Sequence, residues 1–173
     1  DEYIGLGHRR LSILDLSTDG HQPMKDNENQ YVIVYNGEVY NYIELREELK
    51  SLGFKFHTQT DTEVVMKAYA AWGESCAERF NGMWAFALYD IVAKKVFCSR
   101  DHFGIKPFYY TQTEKAFIFG SEIRQLLPFN EKNKVNNKVL TEFLFSNVNE
   151  PLEQTFFSGI LKLPGSHNLV YDL

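Results

Sequence analysis

The clearest pattern of apolar and polar positions lies in the segment YVIVYNGEVYNYIELREELKSLG, residues 31 to 53. Its first five residues, 31 to 35, form a short apolar run that has the length of a buried strand. Asn36-Gly37 between two apolar runs is typical of a two-residue hairpin turn, so residues 38 to 40 are predicted to form the returning strand. This pattern leaves open whether Asn36 and Gly37 only turn the chain or also present an amide and a backbone N–H to a ligand.

Helical spacing of apolar residues follows, and it predicts two helices over residues 42–52 and 61–72. Each helix has a candidate capping box, in which a polar residue precedes a glutamate by three positions: Asn41 with Glu44, and Thr60 with Glu63. Gly73 is predicted to end the second helix. Between the helices, apolar and polar residues alternate and predict a half-buried strand through Phe54, Phe56 and Thr58.

The second half of the chain alternates short apolar runs with turn residues, which predicts a series of antiparallel strands. These runs are MWAFALYD, KVFCSRD, FYYTQT, AFIFGSE and the terminal HNLVYDL. A further helix is predicted from Val135 onward with Asn137 as its cap, and residues 3 to 14 are predicted to be strand-like. Because so many short strands need cover on both faces, the pattern favours an α+β class with two layers of mainly antiparallel sheet.

Composition narrows the possible functions. With 173 residues, 44% of them hydrophobic, the chain can fill one core, so a single domain over residues 1–173 is predicted. A net charge of −5 argues against a nucleic-acid partner, and no apolar run has the length needed to span a bilayer. The two cysteines, Cys76 and Cys98, predict neither a disulfide framework nor a metal site, and they fit a cytoplasmic setting.

Three short motifs carry the candidate chemistry: GHRRLSILD at 7–15, YNGEVYN at 35–41 and TDTEV at 60–64. Taken singly, each has an ordinary structural interpretation. Asn36-Gly37 is a turn, Arg10 is a solvated or salt-bridged arginine, and Asp61 is a carboxylate that interacts with a helix N-terminus. Their order along the chain is more informative than any one of them.

In this order, and followed by FNGMWAFALYD and SRDHFGIKPFYY, the motifs resemble the glutaminase domain of glutamine-hydrolysing asparagine synthetases. These are class II amidotransferases, whose nucleophile is an N-terminal residue. The resemblance covers essentially the whole chain, and the tail SGILKLPGSHNLVYDL favours the asparagine synthetases over sugar-phosphate and purine amidotransferases. It implies a four-layer αββα sandwich of the N-terminal-nucleophile hydrolase type, with helices on the outer faces of the two sheets.

The resemblance also implies a glutamine pocket. Free glutamine carries an α-carboxylate, an α-ammonium group and a side-chain amide, so its pocket needs a cation, an anion and an oxyanion cradle. By resemblance, Arg10 binds the α-carboxylate, Asp61 accepts from the α-ammonium group, and the Asn36 side chain with the Gly37 N–H holds the oxyanion. Further pocket residues implied in the same way are Leu11, Ser12, Ile13 and Glu38. Arg10 is preferred to Arg9 because it directly precedes Leu-Ser-Ile.

Other polar residues are predicted to be structural. His8 and His102 are interpreted as hydrogen-bonded structural residues, because the family nucleophile needs no histidine. The pairs Arg100-Asp101 and Lys106-Pro107 are predicted to hold their loop in shape, and the aromatic run from Trp84 to Tyr89 is predicted to be core.

The nucleophile that the resemblance implies is an N-terminal cysteine whose own α-amino group acts as base. The sequence begins with Asp1, and neither Cys76 nor Cys98 lies beside a free amine. We therefore expect a truncated domain that is inactive in this form, without the N-terminal segment and the C-terminal synthetase domain of the parent. The resemblance assigns ATP and Mg²⁺ to that synthetase domain, and no cofactor to this one.

The expected partners are glutamine, the parent's own synthetase domain and, at an exposed sheet edge, a second copy of the chain. The parent reaction would be amidation of aspartate with ammonia released from glutamine, driven by ATP. Two alternatives stay open at this point. One is a glutamine-binding or interaction module without catalysis, and the other is an amidotransferase that acts on another carboxylate.

Overall fold

The computed structural model describes residues 4–9, 20–130, 134–146 and 153–173. Over these residues it contains two antiparallel sheets and four α-helices. The five-stranded sheet has the order β1-β2-β3-β4-β8, with β1 Met24–Lys25, β2 Tyr31–Val39, β3 Gly82–Asp90, β4 Lys95–Arg100 and β8 Asn168–Asp172. The three-stranded sheet has the order β6-β5-β7, with β5 Tyr109–Gln112, β6 Phe117–Gly120 and β7 Leu161–Lys162.

The α-helices are α1 Tyr42–Ser51, α2 Asp61–Trp72, α3 Ile123–Leu126 and α4 Asn137–Ser146. Short 3-10 turns follow α2 and α3, over Gly73–Arg79 and Leu127–Phe129. The predicted helices 42–52 and 61–72 are confirmed, and the strands predicted in the second half of the chain all form. Gly73 ends α2 with a positive φ of 60°, as expected for a glycine at that position.

Two apolar cores lie on opposite faces of the five-stranded sheet. One core packs α1 and α2 against that sheet and includes Leu49, Val65, Trp84 and Phe97. The other lies between the two sheets, where Val34 and Ala87 meet Phe108 and Leu163, with residues of β6 packed against them. α3 contacts β5 and β6 of the second sheet. The predicted α+β class with two antiparallel sheets is confirmed, and the aromatic run of β3 is core as expected.

The hairpin predicted at Asn36-Gly37 is wrong. Both residues lie inside β2, which pairs with β3 along its whole length, so that Gly37 stands opposite Trp84. Glycine is required here for close approach and not for a turn, because a Cβ at position 37 would lie 2.7 Å from the Trp84 Cα and nearer still to the Met83 carbonyl oxygen.

The strand predicted through Phe54, Phe56 and Thr58 is also wrong, because this segment is a loop. Its backbone hydrogen bonds go to side chains and to the end of α1 instead of to a neighbouring strand. The His57 and Thr58 N–H groups donate to the Glu63 carboxylate, at 2.7 to 3.1 Å, and the Phe54 N–H donates to the Leu49 carbonyl. The Glu63 carboxylate therefore accepts hydrogen bonds from this loop and does not complete the predicted capping box with Thr60.

Three further local predictions need correction. The Asn41 side chain makes no cap hydrogen bond and instead bonds the Arg79 carbonyl and the Asn81 N–H. The cap of α4 is provided by Asn136 and not by Asn137, because the Asn136 Oδ1 accepts from the Val139 N–H. Residues 4–9 form no strand, and the rest of the predicted strand over residues 3 to 14 lies outside the described residues.

Candidate active site

The candidate site begins at an open edge of β2. β1 pairs with only two residues of β2, Val32 and Ile33, so the following backbone groups on that edge need other partners. The Gln22 side chain supplies them for Tyr35: its Oε1 accepts from the Tyr35 N–H at 2.6 Å and its Nε2 donates to the Tyr35 carbonyl at 3.0 Å. Four residues further along, the Val39 N–H donates to the Asp61 Oδ2 at 3.0 Å. These contacts mark both ends of a gap in the edge.

The Gly37 N–H points into this gap. The opposite residue, Trp84, directs its own N–H and carbonyl to Asp101 on the far side of β3, so Gly37 and Trp84 do not hydrogen-bond each other. The Gly37 N–H therefore faces the same edge as those of Tyr35 and Val39. No acceptor for it occurs among the residues that the structure describes. It is a backbone donor available to a ligand.

Asn36 and Glu38 alternate with these residues and lie on the sheet face that carries Val32 and Val34. Both side chains are partly buried and both border the same cleft. Within the described part of the chain, the Asn36 carboxamide makes no hydrogen bond. A second donor is thus available beside the Gly37 N–H.

Asp61 reaches the site from the first residue of α2. The Thr60 hydroxyl caps this helix by accepting from the Glu63 N–H at 3.2 Å. The Asp61 Oδ2 accepts from the Tyr35 hydroxyl at 2.7 Å and from the Val39 N–H at 3.0 Å, and the residue is 4% exposed.

Burial raises the pKa of the Asp61 carboxyl group, and its hydrogen bonds with Tyr35 and nearby backbone N–H groups oppose that rise. No salt bridge to Asp61 forms among the described residues. A buried carboxylate without a cationic partner is costly, so the arrangement favours a ligand that brings a positive charge.

One cleft of about 730 Å³ joins these groups, and Asn36, Gly37, Glu38 and Asp61 all border it. Arg10, Leu11, Ser12 and Ile13 lie outside the described residues, so their placement in the pocket stays a prediction. Gly7, His8 and Arg9, which precede them in the chain, border the cleft, as do Lys106, Glu122 and Arg124. The cleft therefore contains acidic and basic groups of its own.

The loop over residues 101–107 forms part of this wall, and Arg100 holds it in shape. The guanidinium group donates to the carbonyl oxygens of Lys106 and Gly104, both at 2.6 Å, and to that of Leu163 at 2.5 Å. Leu163 follows β7, so this one side chain connects the loop to the second sheet as well.

Asp101 completes the same network and is fully buried. Its carboxylate accepts from four backbone N–H groups, those of Trp84, Phe103, Ile105 and Lys106. The prediction that Arg100 and Asp101 hold the loop in shape is confirmed. His102 is also structural, because its Nε2 lies 3.3 Å from the Phe80 carbonyl oxygen and its ring packs edge-on against Trp84.

Neither cysteine is placed to act as a nucleophile. Cys76 lies in the 3-10 turn after α2 and Cys98 lies within β4, and both are buried in the apolar cores. Burial raises the pKa of Cys76 to about 12 and raises that of Cys98 as well. Both thiols therefore stay protonated near neutral pH, and a thiol is a weak nucleophile.

Two residues of the site were not predicted from the sequence. The sequence pattern predicts Tyr35 only as the end of a buried strand, and it assigns no role to Gln22. A hydroxyl at an inward position of a mainly apolar run is a usable signal for Tyr35, since a buried phenol needs a partner. Gln22 has no such signal, because its role depends on where β1 stops.

Within residues 4–9, 20–130, 134–146 and 153–173, no helix has the length and apolar character needed to cross a bilayer. No group of three or more His, Cys, Asp or Glu side chains in those ranges is arranged to hold a metal ion.

The two packed antiparallel sheets, the outer helices and the cleft at a strand edge define the architecture of N-terminal-nucleophile amidotransferases. A solved structure with this fold is glutamine phosphoribosylpyrophosphate amidotransferase from Bacillus subtilis, which has a TM-score of 0.57 and 17% sequence identity. The match covers 95% of this chain and 34% of that one. At this identity the similarity shows the fold alone.

The chain belongs to the glutamine amidotransferase domain family, whose model matches residues 1–172. Among its relatives, asparagine synthetase [glutamine-hydrolyzing] 1 of B. subtilis is 40% identical over 96% of this chain. A Methanocaldococcus jannaschii protein, provisionally named asparagine synthetase [glutamine-hydrolyzing] 2, is 42% identical over 98% of it. The chain spans 26% and 36% of the lengths of these two relatives. The predicted resemblance is confirmed at the level of the domain.

Proposed function

We propose that, within the full-length protein, this domain hydrolyses the side-chain amide of glutamine and supplies ammonia to an asparagine synthetase reaction. One observation carries the proposal: a single cleft combines an available backbone N–H at Gly37, an available carboxamide at Asn36 and a buried carboxylate at Asp61. The family match and the asparagine synthetase relatives support it.

The charges of glutamine suit this cleft. The Asp61 carboxylate has no cationic partner in the described part of the cleft. The α-ammonium group of glutamine would supply that partner. We assign the α-carboxylate to Arg10, with Leu11, Ser12 and Ile13 lining the pocket beside it. Glu38 adds polar contacts at the cleft wall. In this arrangement the amide end of glutamine lies near Asn36 and Gly37.

In the proposed reaction a thiolate attacks the amide carbonyl carbon, and the carbonyl electron pair moves onto oxygen. The Gly37 N–H and the Asn36 carboxamide donate to that oxyanion from the rigid strand β2, so little rearrangement is needed as its charge develops. Protonation of the amide nitrogen expels ammonia and leaves a thioester, which water hydrolyses to glutamate. We assign the attacking thiol to an N-terminal cysteine of the full-length protein, since Cys76 and Cys98 are buried.

For the full-length protein we propose ATP-dependent amidation of aspartate in the cytoplasm. ATP and Mg²⁺ belong to the synthetase part of that reaction and not to residues 1–173. The synthetase domain is the proposed partner of this domain, and a second copy of the chain is proposed at an exposed sheet edge.

The test is glutamate release from glutamine by the full-length protein and three of its variants. We expect Asn36→Ala to lower kcat about 100-fold with little change in KM, because it removes one oxyanion donor. Asp61→Asn should mainly raise KM. Asn168→Ala is the matched control, since Asn168 is exposed on β8 far along the sheet from β2, and it should behave as wild type.

The outcomes separate the alternatives. Glutamine binding without hydrolysis by the full-length protein would favour the non-catalytic binding module. Hydrolysis without asparagine formation from aspartate and ATP would favour an amidotransferase for another carboxylate. Hydrolysis that is unaffected by both Asn36→Ala and Asp61→Asn would refute the assigned site.

A further inference from the structure

The Tyr35 hydroxyl lies where it can control the carboxylate of Asp61. It donates to the Asp61 Oδ2 at 2.7 Å, and both residues are almost completely buried, Tyr35 at 4% exposure and Asp61 at 4%. The Val39 N–H binds the same oxygen, so neither of these two donors uses the Asp61 Oδ1. The carboxylate is therefore held from one side by two neutral donors of β2.

Tyr35 is itself held in place. The Gln22 side-chain amide bonds both its N–H and its carbonyl, which fixes the strand at this residue. Burial and the neighbouring Asp61 charge raise the pKa of Tyr35 well above its usual value, so the phenol keeps its proton and stays a donor. A neutral donor orients and stabilises the carboxylate without cancelling its negative charge, which stays available to a cation.

We propose that Tyr35 is a positioning residue for recognition of the substrate's α-ammonium group, and that it makes the cleft selective for amides that carry this group. The inference rests on the proposed function, because it takes glutamine as the ligand. A residue that only fills the core would affect all substrates equally. A residue that acts through Asp61 would affect only substrates with the ammonium group.

The test compares glutamine with 4-carbamoylbutanoate, which is glutamine without its α-ammonium group, as substrates of the full-length protein. We expect Tyr35→Phe to raise KM for glutamine about 10-fold with kcat within twofold, because a hydrogen bond to a charged group is lost. The kcat/KM for 4-carbamoylbutanoate should change less than twofold. In an Asp61→Asn background, Tyr35→Phe should have no further effect on the preference between the substrates.

Tyr69→Phe is the control, because Tyr69 is a buried tyrosine of α2 that does not border the cleft. It should leave the preference unchanged. If Tyr35→Phe does not fold, 3-fluorotyrosine at position 35 changes the acidity of the hydroxyl while retaining it, and the ratio of the two kcat/KM values should change.

An equal loss for both substrates with Tyr35→Phe, or an unchanged ratio with 3-fluorotyrosine, would overturn the inference and leave the proposed function standing. A full-length wild-type protein that hydrolyses neither amide would overturn the proposed function, and the inference with it.

Discussion

At the scale of single residues, the Asp61 carboxylate links stability to pH. Because burial raises its pKa, the folded protein binds this proton more tightly than the unfolded chain does. The stability that this group contributes is therefore fully present below its unfolded pKa, about 3.9, and is lost as the pH rises through the raised folded value.

We expect Asp61→Asn to be at least as stable as wild type at neutral pH, since asparagine can still accept from Tyr35 and Val39 without a buried charge. Its advantage in the free energy of unfolding should grow as the pH rises from about 4 and then level off. Urea unfolding across that pH range measures the difference. A neutral-pH loss of more than about 1 kcal/mol would show that the charge itself stabilises the fold.

Gly37 allows a test of how closely the backbones of β2 and β3 approach each other. We expect Gly37→Ala to lower the free energy of unfolding by about 1 to 3 kcal/mol, because the new Cβ would overlap the backbone of β3. Gly5→Ala is the control, since a Cβ there meets nothing within 4 Å, and it should change stability by less than about 0.5 kcal/mol. Equal stability of the two variants, measured by urea unfolding, would contradict the proposed close approach.

These residues also show what the sequence could predict. The resemblance grouped Asn36, Gly37, Glu38 and Asp61, and the structure places them around one cleft. The local pattern misassigned Asn36-Gly37 to a turn, because a glycine needed for close strand approach has the same sequence signal as a glycine in a hairpin.

At the scale of elements, α2 depends on a buried arginine that belongs to α1. Arg46 donates to the carbonyl oxygens of Thr58 and Thr60 at 2.7 and 2.9 Å, and its guanidinium lies 4.8 Å from the centre of the Phe56 ring. It therefore fixes the loop that leads into Asp61.

We expect Arg46→Met to cost about 2 to 4 kcal/mol of unfolding free energy, because two carbonyl groups lose a charged donor. Thermal and urea unfolding measure the loss. The control is Lys50→Met, which removes an exposed cation whose pair with Glu47 contributes about 0.5 kcal/mol or less. If Arg46→Met lowers the free energy of unfolding no more than Lys50→Met does, water molecules replace the hydrogen bonds that Arg46 donates.

Helices and strands differ in how well the sequence predicted them. α1 and α2 were found nearly to the residue, since apolar spacing and the terminal Gly73 are local signals. The segment 54–58 alternates like a strand but has no neighbouring strand, and its N–H groups bind Glu63 instead. Whether an alternating segment finds a partner strand depends on the tertiary structure and cannot be predicted from the segment itself.

At the scale of the whole molecule, Asp101 connects β3 of the five-stranded sheet with the loop that leads to β5 of the three-stranded sheet. We expect Asp101→Ala to destabilise the fold by at least about 3 kcal/mol, because the buried Trp84 N–H and three partly buried N–H groups of the loop lose their shared acceptor. Asp90→Ala is the comparison: Asp90 accepts from one exposed N–H, that of Ala93, and its loss should cost about 1 kcal/mol. Urea unfolding measures the loss of unfolding free energy in each variant. Similar losses would argue against a hydrogen-bond network in which several N–H groups depend on Asp101.

Catalysis needs an attacking thiol in addition to the cleft that residues 1–173 provide. We expect this chain to bind glutamine but to hydrolyse none of it above background, because its two thiols are buried and protonated. Oxyanion donors without a nucleophile give only a small acceleration over water. The measurement is ammonia release from glutamine by this chain and by the full-length protein. Each is assayed before and after treatment with a thiol alkylating reagent. We expect alkylation to abolish activity in the full-length protein, whereas hydrolysis by residues 1–173 that survives it would refute the thiol mechanism.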